Sequence, residues 1–166
     1  MTMSAASIAL PSGRRSGVIT VATTGCVLAI VDGFSAYALG VLFFGHPSFA
    51  RVFQGVAAAL LGKQAYASGT EGMLIGIAMH ITVAFGWATL YYVTYRNWPA
   101  LQRAVKGKRG VATVGPALGA IIWLSMCYIV FPMTKLHHVP ITSLGFVVNF
   151  IHHMLVVGPL VVALDR

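Results

Sequence analysis

The sequence predicts an all-α membrane protein: four transmembrane helices in a bundle, with a short amphipathic surface helix in the first outer connection. Three observations carry this. Of 166 residues, 58% are hydrophobic and only 8% are charged, against about 25% charged in an ordinary soluble domain. The mean hydropathy is +0.84. Four apolar runs, approximately 18–44, 73–95, 111–132 and 143–164, each meet the need of about 20 residues for a helix that crosses a bilayer.

Residues 1–17 are small, polar and basic, with Pro11, Ser12 and Gly13 as breakers, and they read as a mobile cytoplasmic tail. Residues 18–166 then form one four-helix transmembrane domain. Arg14 and Arg15 before an apolar run resemble an export signal. The run from Val18 to Phe44 is much longer than a signal's apolar segment of roughly 7 to 15 residues, so it reads as an uncleaved first span. In the first connection Ser48 can cap a helix over about 48–63. Phe49, Val52, Phe53, Val56 and Leu60 share one face of it, with Arg51, Gln54 and Lys63 elsewhere. It reads either as a lid or partner-docking element or as a helix packed on the membrane surface. The third connection is short and carries Lys135, His137, His138 and Pro140.

The formal net charge of +8 has to be read by position. Arg96, Arg103, Lys106, Lys108 and Arg109 crowd into the second connection, and Arg14, Arg15 and Arg166 lie at the termini. These eight face one side, against Arg51, Lys63 and Lys135 on the other, which predicts cytoplasmic termini. Nucleic acid is therefore excluded as a partner, and membrane lipids are expected. Tyr91, Tyr92, Tyr95 and Trp98 then belong at the inner interface, and Phe43, Phe44, Phe49 and Phe53 near the outer one. Cys26 and Cys127 fall inside apolar runs and read as buried thiols rather than as a disulfide framework.

Helices in hydrocarbon associate by close packing, so small residues along one face mark the contacts. Gly25, Ala29, Gly33, Ala36 and Gly40 form such a stripe on the first span with Asp32 in its middle. Gly76 lies on the inward face of the second span with His80, and Gly115 and Gly119 on the third. The fourth span is a near-continuous apolar run broken at its centre by Asn149, His152 and His153. Polar groups at that depth are candidates for function. Asp32 and His153 come out at one level and His80 about 5 Å further out. A carboxylate and imidazoles at such depth point to proton handling or ligand binding, because histidine changes charge nearest physiological pH. The predicted polar pocket is Asp32, His80, Asn149, His152 and His153. The bland alternative is a hydrogen bond from Asp32 that only fixes helix register. Of His152 and His153, about 100° apart on a helix, one is expected to face the core.

Two metal readings are open. His80 and His152 lie at comparable depths on spans running in the same direction, as for two ligands of one b-type haem. Met73, Met79, Met126, Met133 and Met154 with His137 and His138 have the soft donors that suit copper. Hydrolytic and phosphoryl chemistry have no support: the acids number three, with no glycine-rich phosphate loop and no Cys-x-x-Cys pair. Ser125, His80 and Asp32 could be drawn as a triad, but no nucleophile elbow surrounds the serine.

The segment Arg51 to Lys63, Gly76-Ile-Ala-Met-His80 with Ala84-Phe-Gly-Trp87, Met126 to Pro132, and Asn149 to His153 with Gly158-Pro159 together resemble the small four-span bacterial inner-membrane proteins of the YagU-like kind. The resemblance covers nearly everything after the tail. It implies a helical bundle in the bacterial cytoplasmic membrane and brings no established activity. The expectations that follow are a small carrier, channel or proton-linked membrane factor, not an enzyme, that works as a homo-oligomer. Alternatives are an accessory or assembly subunit of a larger membrane complex and a haem or copper protein.

Overall fold

The computed structural model describes residues 17–45, 48–136 and 141–166. The expected tail and the histidines at 137 and 138 lie outside them. Helix α1 (Gly17–Phe44) is followed by α2 (Phe49–Leu61) with a 3-10 turn over Gly62–Tyr66, α3 (Gly69–Asn97), the short α4 (Pro99–Ala104) and α5 (Gly107–Ser125). A π-helical turn, Met126–Val130, and a 3-10 turn, Phe131–Met133, continue α5. The last span is α6 (Leu144–His152), a second π turn (His153–Val157) and α7 (Gly158–Asp165). Four of these stretches, Gly17–Phe44, Gly69–Asn97, Gly107–Met133 and Leu144–Asp165, are long and apolar enough to cross a membrane. The chain is an integral membrane protein built as an all-α four-helix bundle.

The exposed faces agree with that class. Ile30, Phe34 and Leu155 are each at least 60% exposed, which suits lipid rather than water. The Thr82, Thr89 and Thr94 hydroxyls each donate at 2.8 Å to the carbonyl four residues back, so these three do not face hydrocarbon unsatisfied. Cys127 is buried as expected, whereas Cys26 is exposed. An apolar run fixes the depth of a residue in a membrane helix but not its face, and Cys26 lies on the lipid side of α1.

Close backbone approaches set the packing. A methyl group at Gly76 would overlap the Phe53 carbonyl, and one at Gly72 the Ala65 carbonyl, so α2 and its 3-10 turn press directly on α3. Across the bundle, Gly115 meets Pro159, Gly119 meets the His153 carbonyl, and Gly158 meets the Gly115 carbonyl. Elsewhere a side chain fills the gap: Gly25 faces the Phe85 ring, and Gly33 faces His80 and Phe53. Gly40 is buried in α1.

The Ser48 side chain accepts from the Arg51 amide at 3.3 Å and starts α2. The helix packs its apolar face against the bundle. Phe53 is only 3% exposed and sets its ring edge-on to His80, centroids 5.6 Å apart. The α5–α6 connection joins α2 from the other side, where the Lys135 amide donates to the Ala59 carbonyl at 2.9 Å. At the opposite, terminal end of the bundle, Leu28, Tyr91, Val105, Ile122, Val161 and Val162 form the main apolar core. Tyr91 therefore belongs to the core rather than to an interfacial belt. Arg166 ties this end together by donating to the Gly107 carbonyl at 2.8 Å.

Both π turns have one sequence cause. Each ends two residues before a proline, Pro132 after Met126–Val130 and Pro159 after His153–Val157. A proline ring inside a helix clashes with the carbonyl four residues back and offers no N–H to it. A turn closed instead by an i→i+5 bond, as from the Gly158 amide to the His153 carbonyl, relieves that conflict.

Candidate functional site

Asp32 on α1 and His152 at the end of α6 meet across the bundle, with His152 Nε2 at 2.9 Å from Asp32 Oδ1. His80 on α3 approaches the other carboxylate oxygen, its Nδ1 at 3.9 Å from Oδ2. The expected axial offset of His80 shrinks because α3 begins at Gly69 rather than near Met73. Both residues thereby lie on the α2 side of their helix midpoints, with about 2 Å between their levels.

Backbone carbonyls fix two imidazole tautomers, because a carbonyl only accepts. His80 Nε2–H donates to the Ala29 carbonyl at 3.0 Å, so in neutral His80 the bare Nδ1 faces Asp32. His153 Nδ1–H donates to the Asn149 carbonyl at 2.7 Å, and neutral His153 keeps Nε2 as its free acceptor. Between His152 and Asp32 there is one shared proton, which either partner can hold at 2.9 Å.

Both neighbouring histidines turn inward. His152 is 8% exposed and binds Asp32, while the His153 ring lies 4.9 Å from that of Trp123, tilted by 38°. Their rings stand almost perpendicular, 88° apart. The π turn that starts at His153 winds less per residue than an α-helix, so neighbours diverge less than regular spacing predicts. Asn149 spends its amide on the Gly145 carbonyl at 2.9 Å and does not reach for Asp32. Ala29 contributes its carbonyl and Ala36 a wall of the cavity.

These groups open on a cavity of about 320 Å³. Asp32, His80, Asn149, His153 and Thr134 are its polar lining residues, and the remaining walls are apolar and aromatic, Trp87, Trp123 and Phe131 among them. Val52, Gly55, Val56 and Ala59 of α2, with Thr134 and Leu136, border it at the α2 end. Asp32 keeps 22% of its side chain exposed, and it does so as a lining residue of this space. Among the described residues no Lys or Arg lines the cavity, which leaves Asp32 as the one formal charge among them when the imidazoles are neutral.

For haem ligation His80 and His152 would both have to direct an open nitrogen at one iron. Instead both approach a single carboxylate, which lies between them. Among the described residues no group of three or more His, Cys, Asp or Glu is arranged to hold a metal ion. Met79 and Met126 line the cavity.

A second buried acid escaped the sequence reading. Asp165, 6% exposed, accepts from the Thr24 hydroxyl at the terminal end of the bundle. Among the described residues its Oδ2 and the hydroxyl of buried Tyr91 have no hydrogen-bond partner. The position of Asp165 beside the chain end gave no sign that α7 carries it into the core. Trp123, equally unforeseen, shares the aromatic face of α5 with the cavity.

Compared with protein-family models, curated proteins and solved structures, the chain matches none, so its functional reading rests on the chemistry of this buried acid–imidazole site.

Proposed function

We propose that the chain is a proton-linked carrier of small solutes in a bacterial cytoplasmic membrane, with both termini cytoplasmic. One observation carries the proposal: Asp32, paired with His152 at 2.9 Å, lines a cavity large enough for a solute. A proton on the pair makes it a neutral unit or an imidazolium–carboxylate pair, and its departure leaves a bare carboxylate in a largely apolar space. An unpaired charge at that depth is costly, so loss of the proton favours entry of something that restores neutrality. His80 Nδ1 and His153 Nε2 stand ready as the next proton acceptors around Asp32. Passage at the α2 end requires α2 or the Thr134–Leu136 segment to move. The excess of Lys and Arg at the terminal end supports the orientation, and a homo-oligomer would supply the enclosure that four helices give only incompletely.

The test is internal pH after an acid pulse in liposomes holding the full chain. The native protein should acidify the lumen faster than empty vesicles. Asp32→Asn should cut the rate by about 100-fold, the lower end of what removal of a positioned proton-transfer group costs. Equal rates in native and Asp32→Asn vesicles contradict the reading.

A further inference from the structure

We propose that the cavity binds an organic primary ammonium ion with an apolar, aromatic tail; this deepens the carrier reading and rests on it. The first ground is charge: among the described residues a single carboxylate and no Lys or Arg line the space, so the deprotonated site selects a cation. The second is geometry at the carboxylate. With His80 Nε2–H committed to the Ala29 carbonyl, Nδ1 and Asp32 Oδ2 are two acceptors facing each other across 3.9 Å. One donor nitrogen at about 2.8 Å from each closes that gap with two N–H bonds diverging by roughly 90°, which an –NH3⁺ group can supply and a quaternary ammonium cannot.

The third ground is the wall. Trp87, Trp123 and Phe131 offer aromatic faces and Met79, Val83 and Ile122 aliphatic ones, a surface that accepts the rest of such a ligand and penalises a polar one. The cavity of about 320 Å³ lies in the range of small-ligand sites of roughly 300–1,000 Å³. Gly33 lets His80 sit close against α1, since a methyl group there would stand 3.3 Å from His80 Nε2 and 3.4 Å from the Phe53 ring. Proton and ammonium compete for the same carboxylate. The ligand enters as R–NH3⁺, and the proton shared by Asp32 and His152 leaves to water, so the net charge of the site is conserved.

The experiment is calorimetric titration of the detergent-purified full chain with 2-phenylethylamine, set beside its neutral isostere 2-phenylethanol and quaternary phenethyltrimethylammonium. The amine should bind at least about 10-fold tighter than either analogue, the worth of charge-assisted hydrogen bonds to a carboxylate. Affinity should fall as the pH is lowered, and repeats in buffers of different ionisation enthalpy should show proton release on binding. Equal binding of the alcohol and the amine overturns the proposal, as does a pH-independent amine affinity. The native-protein comparison needs no variant; Asp32→Asn adds an expected loss of about 10-fold for the amine alone. Acid-pulse flux that needs Asp32 in a protein that does not bind the amine overturns this inference and leaves the carrier reading standing. Amine binding without such flux contradicts the carrier reading and shows a binding site only.

Discussion

At the scale of residues, the account turns on Asp32 having, among the described residues, imidazoles rather than Lys or Arg beside it. His152 is its closest partner, 2.9 Å away and 8% exposed. Removing one member of a buried pair costs more than removing both, because the survivor keeps its desolvation penalty. His152→Leu should therefore destabilise the protein by about 3 kcal/mol, and Asp32→Leu added to it should recover part of that loss. Thermal unfolding in detergent checks this; a double variant less stable than His152→Leu would contradict it. The composition of this site was readable from sequence because acids and imidazoles in apolar runs are rare enough to be noticed. Its bonds were not: Asn149 has the Gly145 carbonyl four residues back within reach, and that local bond takes the amide that was expected to point at Asp32.

At the scale of elements, two prolines shape the cavity without touching a ligand. Pro159 follows the π turn that begins at His153, and Pro132 the turn over Met126–Val130. Replacing Pro159 by Ala lets the fourth span wind as a regular α-helix, which rotates His152 and His153 relative to each other. We expect acid-pulse proton flux to fall severalfold in Pro159→Ala while the melting temperature holds or rises, since proline inside a helix costs about 3 kcal/mol against alanine. Full flux in this variant would detach the π turn from function. The glycines give a matched pair on α3. Gly76→Ala forces a methyl into the Phe53 carbonyl, whereas Gly86 has nothing within 4 Å of an added Cβ. Gly76→Ala should loosen α2 and speed proteolysis of the first connection, and Gly86→Ala should leave both stability and cleavage near native or better. The presence of α2, its cap and its apolar face followed from sequence patterns. That it docks backbone to backbone on α3 did not, because a glycine announces close approach without naming what approaches.

For the whole molecule, four apolar runs and their charge asymmetry sufficed for fold class, helix number and a shared end for the termini. Helical periodicity located small and polar faces but not their pairings, which depend on tilt and rotation about each axis. For that reason Cys26, expected to be buried, faces outward, and Tyr91, expected at the interface, faces inward. The bundle separates two buried acids, Asp32 toward the α2 end and Asp165 with Thr24 at the terminal end, and only the first lines the cavity. Asp165→Asn should therefore preserve amine binding and its dependence on pH, whereas a loss equal to that of Asp32→Asn would mean that the two acids act as one unit.

The central claim is a proton shared between Asp32 and His152 inside the bundle, and it is most directly tested by solid-state NMR of ¹⁵N-histidine-labelled protein in lipid bilayers across a pH series. With the His152 signals assigned through His152→Gln, the account predicts that they shift with pH and that Asp32→Asn alters both their position and their titration. His152 imidazole signals that titrate identically with and without the Asp32 carboxylate would contradict it.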